Sequence, residues 1–111
     1  MRNSVIKTKI LKKLVSLGYT ITPNEAQTTR RLKSFTIGKP NSKQFEMCIG
    51  EGYVMFYLLP KNENNIVSRG VIVKSGVKFG YNSNNLEVDT FNELIMLTID
   101  ILNLPIPTKI L

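Results

Sequence analysis

The stretch Thr90–Leu104, TFNELIMLTIDILNL, is the longest apolar segment of the chain. Thr90 followed by Glu93 has the spacing of a capping box, and Asp89 puts negative charge where a helix N-terminus favours it. Pro105 should end the helix. At about 100° per residue, Asn92, Glu93, Asp100 and Asn103 fall in one narrow wedge, with Met96 inside it. Phe91, Leu94, Ile95, Leu97, Ile99, Ile101 and Leu102 fill most of the remaining circumference. A surface helix ordinarily carries a narrower apolar stripe. This arc therefore needs a sheet beneath it and a second element beside it. The second element is either the first helix with the tail 105–111, or another copy of the chain. A homodimer would place Met96, Ile106 and Ile110 at its interface, since a large uncovered apolar patch is unusual on a monomer.

Moving outward, Ser4 is placed to cap a first helix over 5–17. Ile6, Ile10, Leu14 and Leu17 mark one apolar face, widened by Leu11 and Val15. Lys9, Lys12, Lys13 and Ser16 take the opposite face. Gly18 stands at the position of a C-cap glycine, with Tyr19 as its apolar contact. Between the helices the signals are those of strands. Tyr19–Thr22 is short and ends at Pro23. Residues 23–31 form a basic loop. The segment Arg31–Ile37 begins basic and ends apolar, as an edge strand does. Gln44–Ile49 alternates Phe45, Met47 and Ile49 against Glu46 and Cys48. Gly50-Glu51-Gly52 is a tight hairpin loop before Tyr53–Leu59, which is apolar on both faces and reads as a central strand. Ile66–Val73, with Gly70 at a bulge, and Val77–Tyr81 follow across a turn at Ser75-Gly76, and Asn82–Asn85 connects to the last helix. Short turns between successive strands force a meander. The expected fold is a single α+β domain spanning 1–111. An antiparallel meander of four to six strands (31–81) is flanked by an N-terminal and a C-terminal helix (90–104) in a two-layer sandwich.

Charge is the strongest functional signal. The net charge is +7, but it is not evenly spread. Through Lys43 there are ten basic residues and one acid, Glu25, a balance of +9; thereafter five basic residues face seven acids, a balance of −2. A basic half suggests an anionic partner, whether nucleic acid, an acidic protein surface or anionic lipid, against the alternative that the charge serves solubility alone. The expected contact residues are Lys9, Lys12, Lys13, Arg30, Arg31, Lys33, Lys39 and Lys43. The lysine-rich first helix lacks the Trp or Phe wedge usual in membrane-surface helices.

Catalytic signals are sparse. Histidine is absent, which removes Ser–His and Cys–His pairs and histidine metal sites. The one cysteine, Cys48, has a strand pattern around it and reads as a small buried hydrophobe. Glu46 and Glu51 lie on opposite sides of a hairpin bend, and Asp89 and Glu93 suit the helix N-terminus. Neither catalytic residues, a metal site nor a cofactor is expected. Gly50-Glu51-Gly52 is no phosphate loop, because no helix follows it. Tyr53 and Tyr57 share one strand face, as do Phe79 and Tyr81. Exposed and interleaved with basic residues, they would make a stacking platform for single strands. Met55 and Leu59 on the same face as the tyrosines instead favour a core role.

The helix–meander–helix outline is similar to that of double-stranded RNA-binding domains. The lysine-rich start that those domains have at their second helix is missing, since Thr90-Phe91-Asn92-Glu93 is acidic, and no family is assigned on this basis. Lysines interrupt residues 5–17, no apolar run approaches a membrane span, and the lone cysteine suits a reducing compartment, so a cytoplasmic location is expected. The leading functional expectation is a non-enzymatic domain that binds nucleic-acid phosphates through its basic N-terminal surface. The alternative is a protein-interaction module, an inhibitor, immunity-type protein or chaperone engaging an acidic protein.

Overall fold

A computed structural model describes residues 3–61, 68–72, 79–82 and 88–104. The chain runs α1 (Asn3–Ser16), β1 (Thr20–Pro23), a single 3-10 turn (Glu25–Gln27), β2 (Lys33–Gly38), β3 (Phe45–Gly50), β4 (Tyr53–Leu58), β5 (Ser68–Ile72), β6 (Phe79–Asn82) and α2 (Val88–Ile101). The six strands form one antiparallel sheet in chain order. The architecture is thus α+β, a meander between two helices, as the sequence implies.

Strand alternation separates the two faces of the sheet. Phe35, Ile37, Phe45, Met47, Ile49, Val54, Phe56, Leu58 and Val71 belong to one buried cluster with Ile6, Ile10 and Leu14 of α1 and Leu94, Ile95, Ile99 and Leu102 of α2. α2 packs over β5, α1 packs over β1 and β3, and the helices touch. Both helices therefore form one layer. The wide apolar arc of α2 is covered from beneath by the sheet and from beside by α1, with Leu97 and Ile101 at its margin.

Both helices end in the same way. Tyr19 N–H donates to the Leu14 carbonyl at 3.0 Å and Gly18 N–H to that of Val15 at 3.0 Å, with Gly18 at φ 92. In α2, Leu104 N–H donates to Ile99 at 3.0 Å and Asn103 N–H to Asp100 at 3.2 Å, with Asn103 at φ 54. These are Schellman closures, each tucking an apolar residue, Tyr19 or Leu104, back against the core. A Cβ added at Gly18 meets nothing within 4 Å, so only the left-handed backbone resists substitution. Gly18→Ala should cost about 1 kcal/mol, read as a lowered urea midpoint with unchanged slope.

Several boundaries differ from expectation. α1 begins at Asn3, so Ser4 lies inside the first turn, where its carbonyl accepts the Thr8 hydroxyl at 2.9 Å. The closure at Gly18 turns Leu17 outward, to 42% exposure, and Val15 is 61% exposed. The core stripe of α1 is therefore Ile6, Ile10 and Leu14. α2 begins at Val88, which puts Thr90 within the first turn rather than at the cap, and it ends at Ile101 through Asn103 before Pro105 is reached. β2 is not an edge, because β1 pairs along it from Thr20↔Gly38 to Pro23↔Phe35. Gly70 makes no bulge: it pairs with Met55 in an unbroken ladder. The expected strand ends at 66–67, 73 and 77–78, the turn at 75–76, most of the connector 82–85 and the tail 105–111 lie outside the described residues.

Candidate nucleic-acid interface

The expected basic residues fall into separate groups. Lys9, Lys12 and Lys13 are all exposed on α1 and line a shallow groove with Ser16 and Ile101 of α2. No acid among the described residues pairs with them. α1 leads through Tyr19 into Thr20, opposite Gly38 at the end of β2. Lys39 follows there, its ammonium 4.4 Å from the centre of the Tyr19 ring, and Lys43 lies in the same β2–β3 connection. Burial and, secondarily, the nearby Glu93 carboxylate raise the Tyr19 phenol above its usual range.

Arg30, Arg31 and Lys33 stand at the opposite end of β2, five residues or about 17 Å along the strand. The loop before β2 is tied by backbone and side-chain hydrogen bonds. Asn24 N–H donates to the Ser34 carbonyl at 2.9 Å, and Ser34 N–H to the Thr28 hydroxyl at 3.1 Å. Leu32 N–H donates to the Thr29 hydroxyl at 3.1 Å, and the Lys33 ammonium to the Thr29 carbonyl at 3.0 Å. Arg31 Nε lies 3.8 Å from Glu51 in the β3–β4 turn. The eight residues are therefore not one patch: Lys9, Lys12 and Lys13 lie on α1, Lys39 and Lys43 lie in the β2–β3 connection, and Arg30, Arg31 and Lys33 sit at the other end of β2.

The sheet face turned away from the helices carries a polar cluster that the sequence did not disclose. Glu46, 4% exposed, accepts the Ser34 hydroxyl at 2.5 Å and is ion-paired with Lys61. Ser34 is fully buried and also accepts the Asn24 side-chain amide at 3.1 Å, and the Thr36 hydroxyl donates to Asn24 Oδ1 at 2.9 Å. Lys61 reaches Glu46 across the Tyr57 ring, 4.9 Å from its centre. Burial, the strongest influence on Glu46, raises its carboxyl, but the hydrogen bonds from Lys61 and Ser34 with the Lys61 charge outweigh it, and the group titrates below the ordinary range. Beside it the Cys48 thiol is pushed up to about 11, first by burial and then by the Glu46 charge. That thiol stays protonated at neutral pH and is a poor nucleophile. Among the described residues no group of three or more His, Cys, Asp or Glu could hold a metal ion.

The same face corrects the expectation for the tyrosines. Val54, Phe56 and Leu58 face the helices, whereas Tyr53 is 39% exposed and Met55 and Tyr57 are half-buried on the other side. The two-residue loop fixes Gly50 opposite Tyr53, and hence Glu46 opposite Tyr57, a register readable from the sequence. The reach of Lys61 back over Tyr57 had no sequence signal. Met96 of α2 is 44% exposed beside Asp100 and Asn103; Ile106 and Ile110 lie outside the described residues. No described helix is long and apolar enough to cross a membrane. No family model, curated protein or solved structure matches this chain.

Proposed function

We propose that the chain is a non-enzymatic domain that binds nucleic-acid phosphates through its basic N-terminal surface. The observation that carries this reading is the row Lys9, Lys12 and Lys13, exposed on α1 and free of acidic partners among the described residues, with Lys39 toward its C-terminal end. Such a row presents ammonium groups to a polyanion at no cost in broken ion pairs. Arg30 and Arg31 form a second, separate contact.

Affinity for nucleic acid should fall steeply between about 50 and 200 mM salt. Lys9→Glu/Lys12→Glu/Lys13→Glu should weaken all sequences alike and flatten the salt dependence by roughly one power of salt concentration for each phosphate no longer neutralised. Arg30→Glu/Arg31→Glu should do the same independently, because the two groups lie at different ends of the molecule. Fluorescence anisotropy across a salt series checks this. Binding indifferent to salt and to both variants would refute it.

The exposed Met96, beside a hollow lined by Ile99, Asp100, Asn103 and Leu104, favours a separate contact on α2, a second copy of the chain.

A further inference from the structure

On the sheet face away from the helices Ser34, Glu46, Cys48 and Ser68 are buried, and among the described residues Tyr53 is the aromatic side chain that stands exposed there. Stacking requires an aromatic ring held flat, with its outer side free. The Tyr53 ring lies across Gly50, where a Cβ would collide with it, so no side chain lifts the ring from the sheet, and Tyr53 remains 39% exposed. Met55 lies likewise across Gly70, continuing a level surface toward Tyr57. Tyr53 and Tyr57 are four residues apart on β4, about 13 Å. Each end of this row has a cation. Arg31 stands by the turn preceding Tyr53, its side chain 82% exposed, and Lys61 lies over Tyr57. Glu46 on this face is buried and paired with Lys61, and the exposed Glu51 in the turn is only loosely paired with Arg31 at 3.8 Å, so that a phosphate can take its place there.

We propose that this face binds single-stranded nucleic acid, with a base stacked on Tyr53 and a flanking phosphate held by Arg31 in place of its exposed partner Glu51. The proposal rests on the nucleic-acid reading above and adds to it the form of the partner. Bases paired within a duplex keep their faces covered by their neighbours, so Tyr53 discriminates for the unpaired strand.

The test uses the whole chain, a labelled oligothymidylate and a duplex of equal length. The chain has four tyrosines and no tryptophan, so its own fluorescence reports stacking. Wild type should bind the single strand with quenched tyrosine emission. Tyr53→Ala should weaken that binding about tenfold and leave duplex binding unchanged, whereas Tyr53→Phe should retain wild-type affinity. Circular dichroism of each variant confirms the fold. Single-strand affinity that ignores Tyr53→Ala, without quenching in the wild type, overturns the proposal; duplex binding sensitive to the α1 lysines would then leave the phosphate reading standing. Wild type that binds neither form overturns both.

Discussion

Phe56→Ala should lower stability by about 3–5 kcal/mol, enough to unfold a large fraction of the molecules. Phe56 is 1% exposed on β4, third in from the β6 edge. It pairs with Met47 on one side and Arg69 on the other, and it faces the helix layer between Val54 and Leu58. Truncation removes the ring from the middle of the single core. The surrounding strands are fixed by their ladders, so the cavity cannot close. Tyr53→Ala, on the opposite face of the same strand, should cost under about 1 kcal/mol because it empties no enclosed space. Urea unfolding of the two variants gives the comparison. Equal losses would mean that Tyr53 is as enclosed as Phe56.

Lys61→Met should cost about 1–3 kcal/mol at neutral pH, nearer the lower figure because the Lys61 side chain is 40% exposed and screened by solvent. Its clearer signature is the sign of the pH dependence. In the wild type the Glu46 carboxyl is held below its ordinary value of 4.5. A lowered carboxyl contributes stability that is present above that ordinary value and is lost as pH falls through the folded one. The same pair raises Lys61 above its ordinary 10.5, so the lysine's share is lost only as pH rises beyond that. Without Lys61, Glu46 loses its hydrogen bond and the nearby positive charge, both of which lower its carboxyl, and it titrates higher than in the wild type. The variant therefore loses less stability than the wild type as pH falls. Unfolding free energy measured from pH 7 down toward pH 4 should therefore converge between wild type and variant. Parallel profiles would show that Lys61 does not govern Glu46.

The features legible in the sequence were those that repeat or punctuate. The stripe Ile6, Ile10 and Leu14, the broad arc of α2 and the alternation of Phe45, Met47 and Ile49 each gave an element and its buried side. Gly18 and Tyr19 gave a helix end whose hydrogen bonds are those found. Illegible features depend on contacts between distant segments. The edge position belongs to β1 rather than β2, because the short Thr20–Pro23 segment folds back along β2 beyond a loop tied by Asn24 and Thr28. Leu17 and Val15 are apolar at helical spacing, yet no second layer reaches them. Tyr53 read as core because Met55 and Leu59 share its side. Tyr53 is nonetheless 39% exposed at the start of β4, although Ser34, Glu46, Cys48 and Ser68 on the same side are buried. The cluster around Glu46 combines Asn24, Ser34 and Lys61 from three segments, none of which carries a motif.

Titration of the isotopically labelled chain with a short oligothymidylate, followed by amide chemical shifts, tests whether these surfaces bind nucleic acid. Nucleic-acid binding through these surfaces predicts shifts at residues 9–13 of α1 and around Tyr53 and Arg31, all reversed by added salt. A spectrum unchanged by the oligonucleotide, or shifts confined to the Met96 side of α2, would contradict it.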